Sequence, residues 1–586
     1  MKDDQKNFIL FAVLAALILI GWPIVTSKFF PAANPPVTKI EGGKTKVVAA
    51  PSGPAAPTTG NGGAVRDRKL VIASTPRVRI ETPSLVGSIN LKGARIDDLV
   101  LPTYKETIDK HSPPTRLLSP SGTENAYFAG FGWTADKGVA VPGPDTVFAA
   151  DSAILTPGKP VTLAWTNPTG QRFVIRIAVD DHFMFTVDQA VFNHGASPIS
   201  ARSYGLISRA GPGTDLDTWT NHVGPIGVFG NGATYDITYA NLEGKEPSFF
   251  GKIFGNSGRA GDNYFDTTGG WTGFGDKYWL AALIPDQQAS VHSGFRAASG
   301  TTFQTDVARA PATVAPGGRA IVTTRFFAGA KEVKTLDHYD NDLHIAHFGR
   351  AIDWGWFEIV EKPIFTYLDW LFHLVGNFGV AIILLTLTIR GLLFPIAQRQ
   401  FASMANMRAI QPKMKALQEK HKDDKARAQQ EVMALYKAEG VNPLAGCLPT
   451  FLQIPIMYSL YKVLLLTIEM RHQPFVLWIK DLSAPDPLTP LNLFGVLPFT
   501  PPHMIAIGVI PILLGISMFF QFKLNPAPMD EAQKQVFAFM PWVLMFVMAP
   551  FAVGLQVYWI TSNCLTILQQ RILYARHPAM RVAAAK

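Results

Sequence analysis

Residues 380–395 read VAIILLTLTIRGLLFP. Ten apolar or hydroxyl-bearing residues run into Arg390, and the chain then returns to Gly, Leu, Leu, Phe and Pro. The stretch has the greasiness of a membrane span, yet it carries a permanent cation with no acid beside it. An arginine near mid-span costs about 2.5–3.5 kcal/mol on insertion scales, so it faces protein or water rather than lipid. Two arrangements meet that demand. Other helices can line a wet cavity around the guanidinium, or the long side chain can snorkel to the cytoplasmic headgroups, since Pro395 follows closely.

The surrounding sequence supports a polytopic α-helical membrane protein with six transmembrane helices. Residues 8–26, FILFAVLAALILIGWPIVT, make an apolar run of about 19 residues, long enough to cross a bilayer. The SKFFP that follows is a poor cleavage site, so residues 1–27 read as a retained anchor, with a cleaved signal peptide as the alternative. Spans are expected at 376–397, 444–468, 503–522, 536–551 and 554–573, the last two forming a tight hairpin around Pro550–Gly554.

Loop charge sets the orientation. Residues 398–443 carry nine Lys/Arg against five acids, and the tail 574–586 adds basic residues without an acid. The loop 469–502 is nearly balanced. Residues 398–443, 523–535 and both termini are therefore expected in the cytoplasm, and 28–350 and 469–502 outside. The formal net charge of +9 is largely a topological signal, and no aromatic-interleaved basic stripe marks a DNA-binding surface.

Between the anchor and the core lie a disordered linker at 28–66, rich in Pro, Ala, Gly and Thr, and a large domain at 67–349. In RFVIRIAVD (172–180) and FMFTVDQAVF (183–192) apolar residues alternate with polar or smaller ones, the mark of strands with one buried face. Glycine and proline turns separate many such runs, so the domain reads as a large all-β sandwich. The chain has two cysteines, Cys447 and Cys564, and neither falls in this domain, which therefore relies on its packed core rather than disulfides. DHYDNDLHIAH (337–347) invites a metal reading, but its spacing matches no zinc-hydrolase motif, and a solvated edge is the plainer one. No catalytic residue, cofactor or metal is expected.

Residues 350–375 read as an amphipathic helix lying in the membrane interface, with Phe357, Val360, Ile364, Leu368 and Leu371 on one face; packing against the β domain is the alternative. In 398–443, Met404, Met407, Met414 and Leu417 form a stripe before Asp424, which can cap a second helix. A helical hairpin results, whose methionines either close it or meet client segments. Candidate groove residues around Arg390 are Thr386 one turn earlier, Thr450 and Gln453 on the third span, and Trp559, Ser562 and Asn563 on the last.

VGNFGVAIILLTLTIRGLLFP, SMANMRAIQPKMKAL, EVMALYKAEGVNPLAGCLPTFLQIPI and LQVYWITSNCLTILQQ together resemble the YidC/Oxa/Alb family of membrane protein insertases, in its bacterial Gram-negative form. The likeness covers 350–575 and extends to GGWTGFGDKYWLAALIP (269–285) and the N-terminal anchor. It implies a periplasmic β-super-sandwich similar to sugar-mutarotase folds. It also implies a hydrophilic groove holding Arg390, with Thr386 as a groove position and Tyr558-Trp559 on the client exit face. The implied role is a chaperone and insertase for nascent membrane proteins in the bacterial inner membrane. Such a protein works alone or beside the Sec translocon and its accessory subunits, with membrane lipids around it and ribosome or signal recognition contacts. The family has tyrosine commonly where this chain has Trp559. A solute transporter with a periplasmic binding domain is the competing class, though the five core spans show no internal duplication.

Overall fold

The computed structural model describes residues 38–41, 44–47, 65–215, 221–230, 232–245, 260–298, 302–421, 424–439, 448–494, 497, 507–524 and 531–576. The expected anchor at 1–27 lies outside them. In the segment read as a disordered linker, Thr38–Glu41 pairs antiparallel with Lys44–Val47. The chain divides into two units, 1–353 and 354–586.

The first unit is a sandwich of a nine-stranded and an eleven-stranded sheet. Alternation in sequence becomes alternation in burial: along Gln171–Val179, Phe173, Ile175 and Ile177 are buried while Arg172 and Arg176 face out. That strand pairs with Met184–Asn193, which pairs in turn with Arg319–Ala330. In the other sheet, Ile199–Ala210 lies between Tyr127–Ala135 and Thr302–Arg309. Aromatic rings lock the layers: Phe131 meets Phe326 edge-on at 6.4 Å, and Trp133 meets Phe173 at 5.2 Å. Some polar groups bridge the layers, as burial favours. Gln189 Nε2 donates to the Gly132 carbonyl at 2.8 Å, and the Thr272 and Thr305 hydroxyls lie 2.7 Å apart.

The histidine- and aspartate-rich 337–347 segment is spread out by its local structure. The helix Val333–Asn341 carries His338, which pairs with Asp342, while Asp340 accepts from the Gly349 N–H at 3.1 Å. Among the described residues no group of three His, Cys, Asp or Glu side chains is arranged to hold a metal ion.

The second unit is helical. We label its helices α1 (Glu358–Val375), α2 (Phe378–Leu392), α3 (Phe394–Lys420), α4 (Lys425–Ala438), α5 (Leu448–Leu466), α6 (Val509–Leu524), α7 (Glu531–Met548) and α8 (Val553–Arg576). Gly376, at φ +69°, ends α1 in the left-handed conformation that glycine adopts without steric cost. Asn377 then caps α2 by accepting from the Val380 N–H at 3.1 Å.

The expected span at 376–397 is not one helix. It breaks at Leu393, because Pro395 has no N–H to offer the Gly391 carbonyl and its ring crowds that oxygen. The 15 residues of α2 rise about 22 Å, less than a bilayer core of roughly 30 Å. Likewise α6 has 16 residues, and α8 runs longer than expected but is interrupted by Gln556, Ser562, Asn563, Thr566 and Gln570. Among the described residues no helix is long and apolar enough to cross a membrane.

Helices α3 and α4 pack against each other, α3 beginning at Phe394. Asp424 accepts from the Arg427 N–H at 3.0 Å and caps α4. Ile410 and Met414 pack on Val432 and Tyr436, so Met414 closes the hairpin, and Lys413 pairs with Glu439 at 2.6 Å. The side chains of Met404 and Met407 lie outside the described set.

Two polar residues organise the connections. Gln556 Nε2 donates to the carbonyls of Met548 at 3.0 Å and Phe551 at 2.9 Å, satisfying the end of α7. In the long loop before α6, buried Asp486 accepts from Trp478 Nε1 and the Leu488 N–H at 3.0 Å and from the Ile510 N–H at 2.8 Å.

Candidate functional site

The site is built where α2, α5 and α8 meet. The placement of α2 is fixed at its start: the Asn377 amide donates to the Phe475 carbonyl at 3.0 Å. Gly379 lies so close to the Phe475 ring that a Cβ there would stand 2.0 Å from it. Only glycine permits that approach. Further along α2 come Thr386 and Arg390, one turn apart.

Arg390 is half-buried and donates through Nε to Ser562 Oγ at 3.0 Å, with a second guanidinium nitrogen on the same hydroxyl. Among the described residues no carboxylate pairs with it. A guanidinium has five N–H donors, so one hydroxyl leaves donor capacity and nearly the whole positive charge available. The serine has a matching constraint. It is 2% exposed, and burial of a hydroxyl without a partner is costly.

One turn before Ser562 on the same face of α8 stands Tyr558, buried, whose hydroxyl accepts from Gln453 on α5. The Arg390–Ser562 and Gln453–Tyr558 contacts therefore stack one turn apart and tie three helices together. Asn563 points elsewhere. Its amide donates to Ser517 Oγ on α6 at 2.9 Å, and Ser517 donates to the Leu514 carbonyl at 2.7 Å. Trp559 is half-exposed.

Thr386 is fully buried, and its hydroxyl donates to the Ile382 carbonyl at 2.7 Å within its own helix. The side chain of Thr450 lies outside the described residues. Of the residues singled out in sequence, the structure joins Arg390 to Ser562 and Gln453 to Tyr558, sends Asn563 to α6, and turns Thr386 inward.

Sequence reasoning missed several polar groups of this unit. Ser517 was legible as the only hydroxyl in VIPILLGISMFF. Thr388, whose hydroxyl lies 2.9 Å from that of Tyr367, sits in the opening stretch itself. Lys462, a cation inside the expected third span, is buried and was the clearest unread signal.

Comparison with known proteins accounts for almost the entire chain. Residues 77–367 match the family described as "YidC periplasmic domain", and residues 370–580 match "60Kd inner membrane protein". The chain is 48% identical to a "Membrane protein insertase YidC" of Zymomonas mobilis subsp. mobilis, covering 98% of this chain and 96% of that one. It is 44% identical to the protein of that name from Methylorubrum extorquens, again covering 98% and 96%. A solved structure titled "Active YidC insertase crystal structure with the first transmembrane domain resolved" overlaps 84% of this chain and 92% of that one, at 18% identity and a TM-score of 0.36. A β-sandwich carrying the periplasmic-domain pattern, followed by a helical unit carrying the inner-membrane pattern, places this chain in the YidC family of membrane protein insertases.

Proposed function

We propose that the protein inserts and folds integral membrane proteins in the bacterial inner membrane, with Arg390 as the group that meets the client. The observation carrying this reading is the partnership of Arg390: a hydroxyl holds it, and no carboxylate among the described residues neutralises it. A cation kept in place but not cancelled attracts an acidic stretch of a passing chain and releases it again. Ser562 orients the guanidinium. Gln453 and Tyr558 fix the wall beside it, and Trp559, half-exposed on α8, offers an apolar surface along which a client helix leaves for lipid. Thr386 packs α2 from within, and Thr450 belongs to the same site by its place on α5. Asn563 binds α8 to α6.

The topology we propose has six crossings, with both termini and the α3–α4 hairpin in the cytoplasm and the β-sandwich in the periplasm. Loop charge supports it. The outward-facing side chains support it too, because Leu513, Ile516, Phe519 and Phe520 on α6 and Trp542, Val543, Phe546 and Val547 on α7 are exposed, as lipid-facing positions are. Single helices need not span alone: α2 continues into the first turns of α3 across the Leu393 joint. Nascent membrane proteins are the clients, membrane lipids the surroundings, and the Sec translocon with its accessory subunits and the ribosome or signal recognition machinery the partners. The chemistry needs no cofactor. Partitioning of the client into lipid supplies the drive, since each polar backbone group spared exposure to hydrocarbon saves several kcal/mol.

The test is reconstitution in protein-free liposomes with a small coat-like membrane protein made in vitro, read by protease protection of its outer segment. Arg390→Ala is expected to lower insertion about tenfold, the effect of roughly 1.4 kcal/mol. Arg390→Lys is expected to retain most of it. Equal insertion by Arg390→Ala across clients with and without acidic outer segments rejects the reading.

A further inference from the structure

The connection from α5 to α6 lies across one end of the helical unit and is tied to three helices that begin there. The Asn377 amide ahead of α2 donates to the Phe475 carbonyl at 3.0 Å. At the start of α6 the Val509 N–H donates to the Leu488 carbonyl at 3.1 Å, and the Ile510 N–H to Asp486 at 2.8 Å. At the start of α8 the Val553 and Gly554 N–H groups donate to the Ala484 and Leu482 carbonyls, each at 2.9 Å. A helix start leaves such N–H groups without an internal partner. The loop is therefore a shared cap, held from inside by buried Ile479, Leu482, Asp486 and Thr489.

From this fixed base two tips carry apolar side chains outward. Val476 and Leu477 are exposed, Leu477 to 84%, and on the other arm Leu491, Leu493 and Phe494 are exposed. The backbone holds them there at a cost. Leu477, Leu493 and Phe494 have φ of +55°, +48° and +59°, a region unfavourable to bulky side chains. Strain of this kind persists only where the surrounding structure imposes it, and it concentrates at functional positions. Turn bonds impose it here: the Ile479 N–H donates to the Val476 carbonyl at 3.1 Å, and the Leu493 and Phe494 N–H groups donate to the Pro490 and Thr489 carbonyls at 3.0 Å. Asp486 joins the arms, accepting from Trp478 Nε1 beside the first tip and from the Leu488 N–H ahead of the second. Strained backbone that holds apolar side chains away from the protein is favourable only if something apolar receives them.

We propose that both tips enter the lipid at this face of the membrane, the outer leaflet in the topology proposed above, on which this inference rests. Continuity identifies the receiving surface. The second tip follows directly on Leu488, the residue bonded to the start of α6. One turn into that helix Leu513 is exposed, and Ile516, Phe519 and Phe520 continue the apolar surface. The exposed tip side chains end in methyl groups or a ring without a hydrogen-bonding group, which suits acyl chains better than the polar rim of a protein partner. Interfacial segments bury such side chains about 5–10 Å into the boundary between headgroups and acyl chains. Because the same loop caps α2, α6 and α8, its anchorage sets the depth of all three together.

The test uses the full chain with Cys447 and Cys564 replaced by serine, in liposomes of phosphatidylethanolamine and phosphatidylglycerol. Leu477→Cys and Phe494→Cys, each carrying a polarity-sensitive fluorophore, are expected to emit as in an apolar medium. Nitroxides on the lipid acyl chains are expected to quench them several-fold more than iodide does. Lys420→Cys, exposed at the end of α3, is the aqueous reference with the opposite pattern, and Phe520→Cys on α6 is the lipid reference. The inference is overturned if either tip label behaves as the Lys420→Cys label does. It is equally overturned if both quenchers spare the tips, which would put a protein partner or a second copy of the chain on them. A Phe520→Cys label that escapes the nitroxides rejects the proposed topology; one that is quenched while the tip labels are not rejects this inference alone. Both tip residues are exposed, so the substitutions remove little packing, and either variant decides if the other does not accumulate.

Discussion

The two units of this chain solve the same problem of apolar surface in opposite senses. In the β-sandwich the large aromatic side chains Phe173, Phe185, Phe274, Phe295, Phe303 and Phe326 are fully buried, and exposed apolar residues such as Val86 and Ile321 are scattered. In the helical unit polar residues such as Ser562, Asn563, Gln556 and Thr386 are buried beside apolar ones such as Leu385, Leu460 and Leu464, while Phe519, Phe520, Phe546 and Val547 face outward together. The sandwich exposes few large apolar side chains and the helical unit exposes rows of them, which is economical only where the surroundings are hydrocarbon. Fold-level vocabulary alone does not convey this; the burial of each residue type does.

The largest expected effect tests that inversion directly. Phe326→Ala in the sandwich core is expected to cost about 3–5 kcal/mol, read by denaturant unfolding of the periplasmic unit. Phe520→Ala on α6 is expected to fall within about 0.5 kcal/mol for the detergent-solubilised protein. Comparable losses at the two sites would break the contrast. A second pair of substitutions reads the surroundings themselves. Phe546→Asp on α7 is expected to cost about 2.5–3.5 kcal/mol in the bilayer and to lower the amount of protein recovered in membranes, whereas Ile321→Asp on the sandwich surface leaves it unchanged.

The smallest effect is a pH dependence that belongs to the sandwich alone. Asp306 lies 2.6 Å from Arg296, yet burial outweighs that attraction and pushes its carboxyl up to about 6. A raised carboxyl binds its proton more tightly in the folded state. Its contribution to stability therefore grows as pH falls through about 6 and levels off near the usual carboxylate value. Between pH 7 and 5 the native protein should gain about 1 kcal/mol relative to Asp306→Asn. Parallel unfolding curves for the two proteins at both pH values would show that Arg296 prevails.

How much of this was legible in sequence follows the range of the interactions. The strands at 172–180 and 183–192 were readable because a period of two is local, and the structure pairs them residue for residue from Gln171 with Asn193 to Val179 with Phe185. Asp424 was readable as a cap for the same reason. Arg390 stood out because the cost of a cation in an apolar run is a property of the run itself. Ser562 stood among the candidates around it, but one-turn spacing along α8 could not say that Ser562 turns to α2 while Asn563 turns to α6. The helix break at Leu393 was encoded in Pro395, but the length of the apolar run hid it. Thr386 shows the opposite failure: its place one turn from Arg390 suggested an open wall, and its hydroxyl was satisfied by its own backbone.

The single hydroxyl beneath Arg390 sets the range over which that side chain is felt. Had an aspartate taken the place of Ser562, the pair would present a dipole to a third charge, and its pull would fade with the square of distance. Serine leaves a monopole, whose pull fades only with the first power and is damped least where water is scarce. On the function proposed above, an acidic residue of a client would be drawn toward Arg390 from well beyond contact.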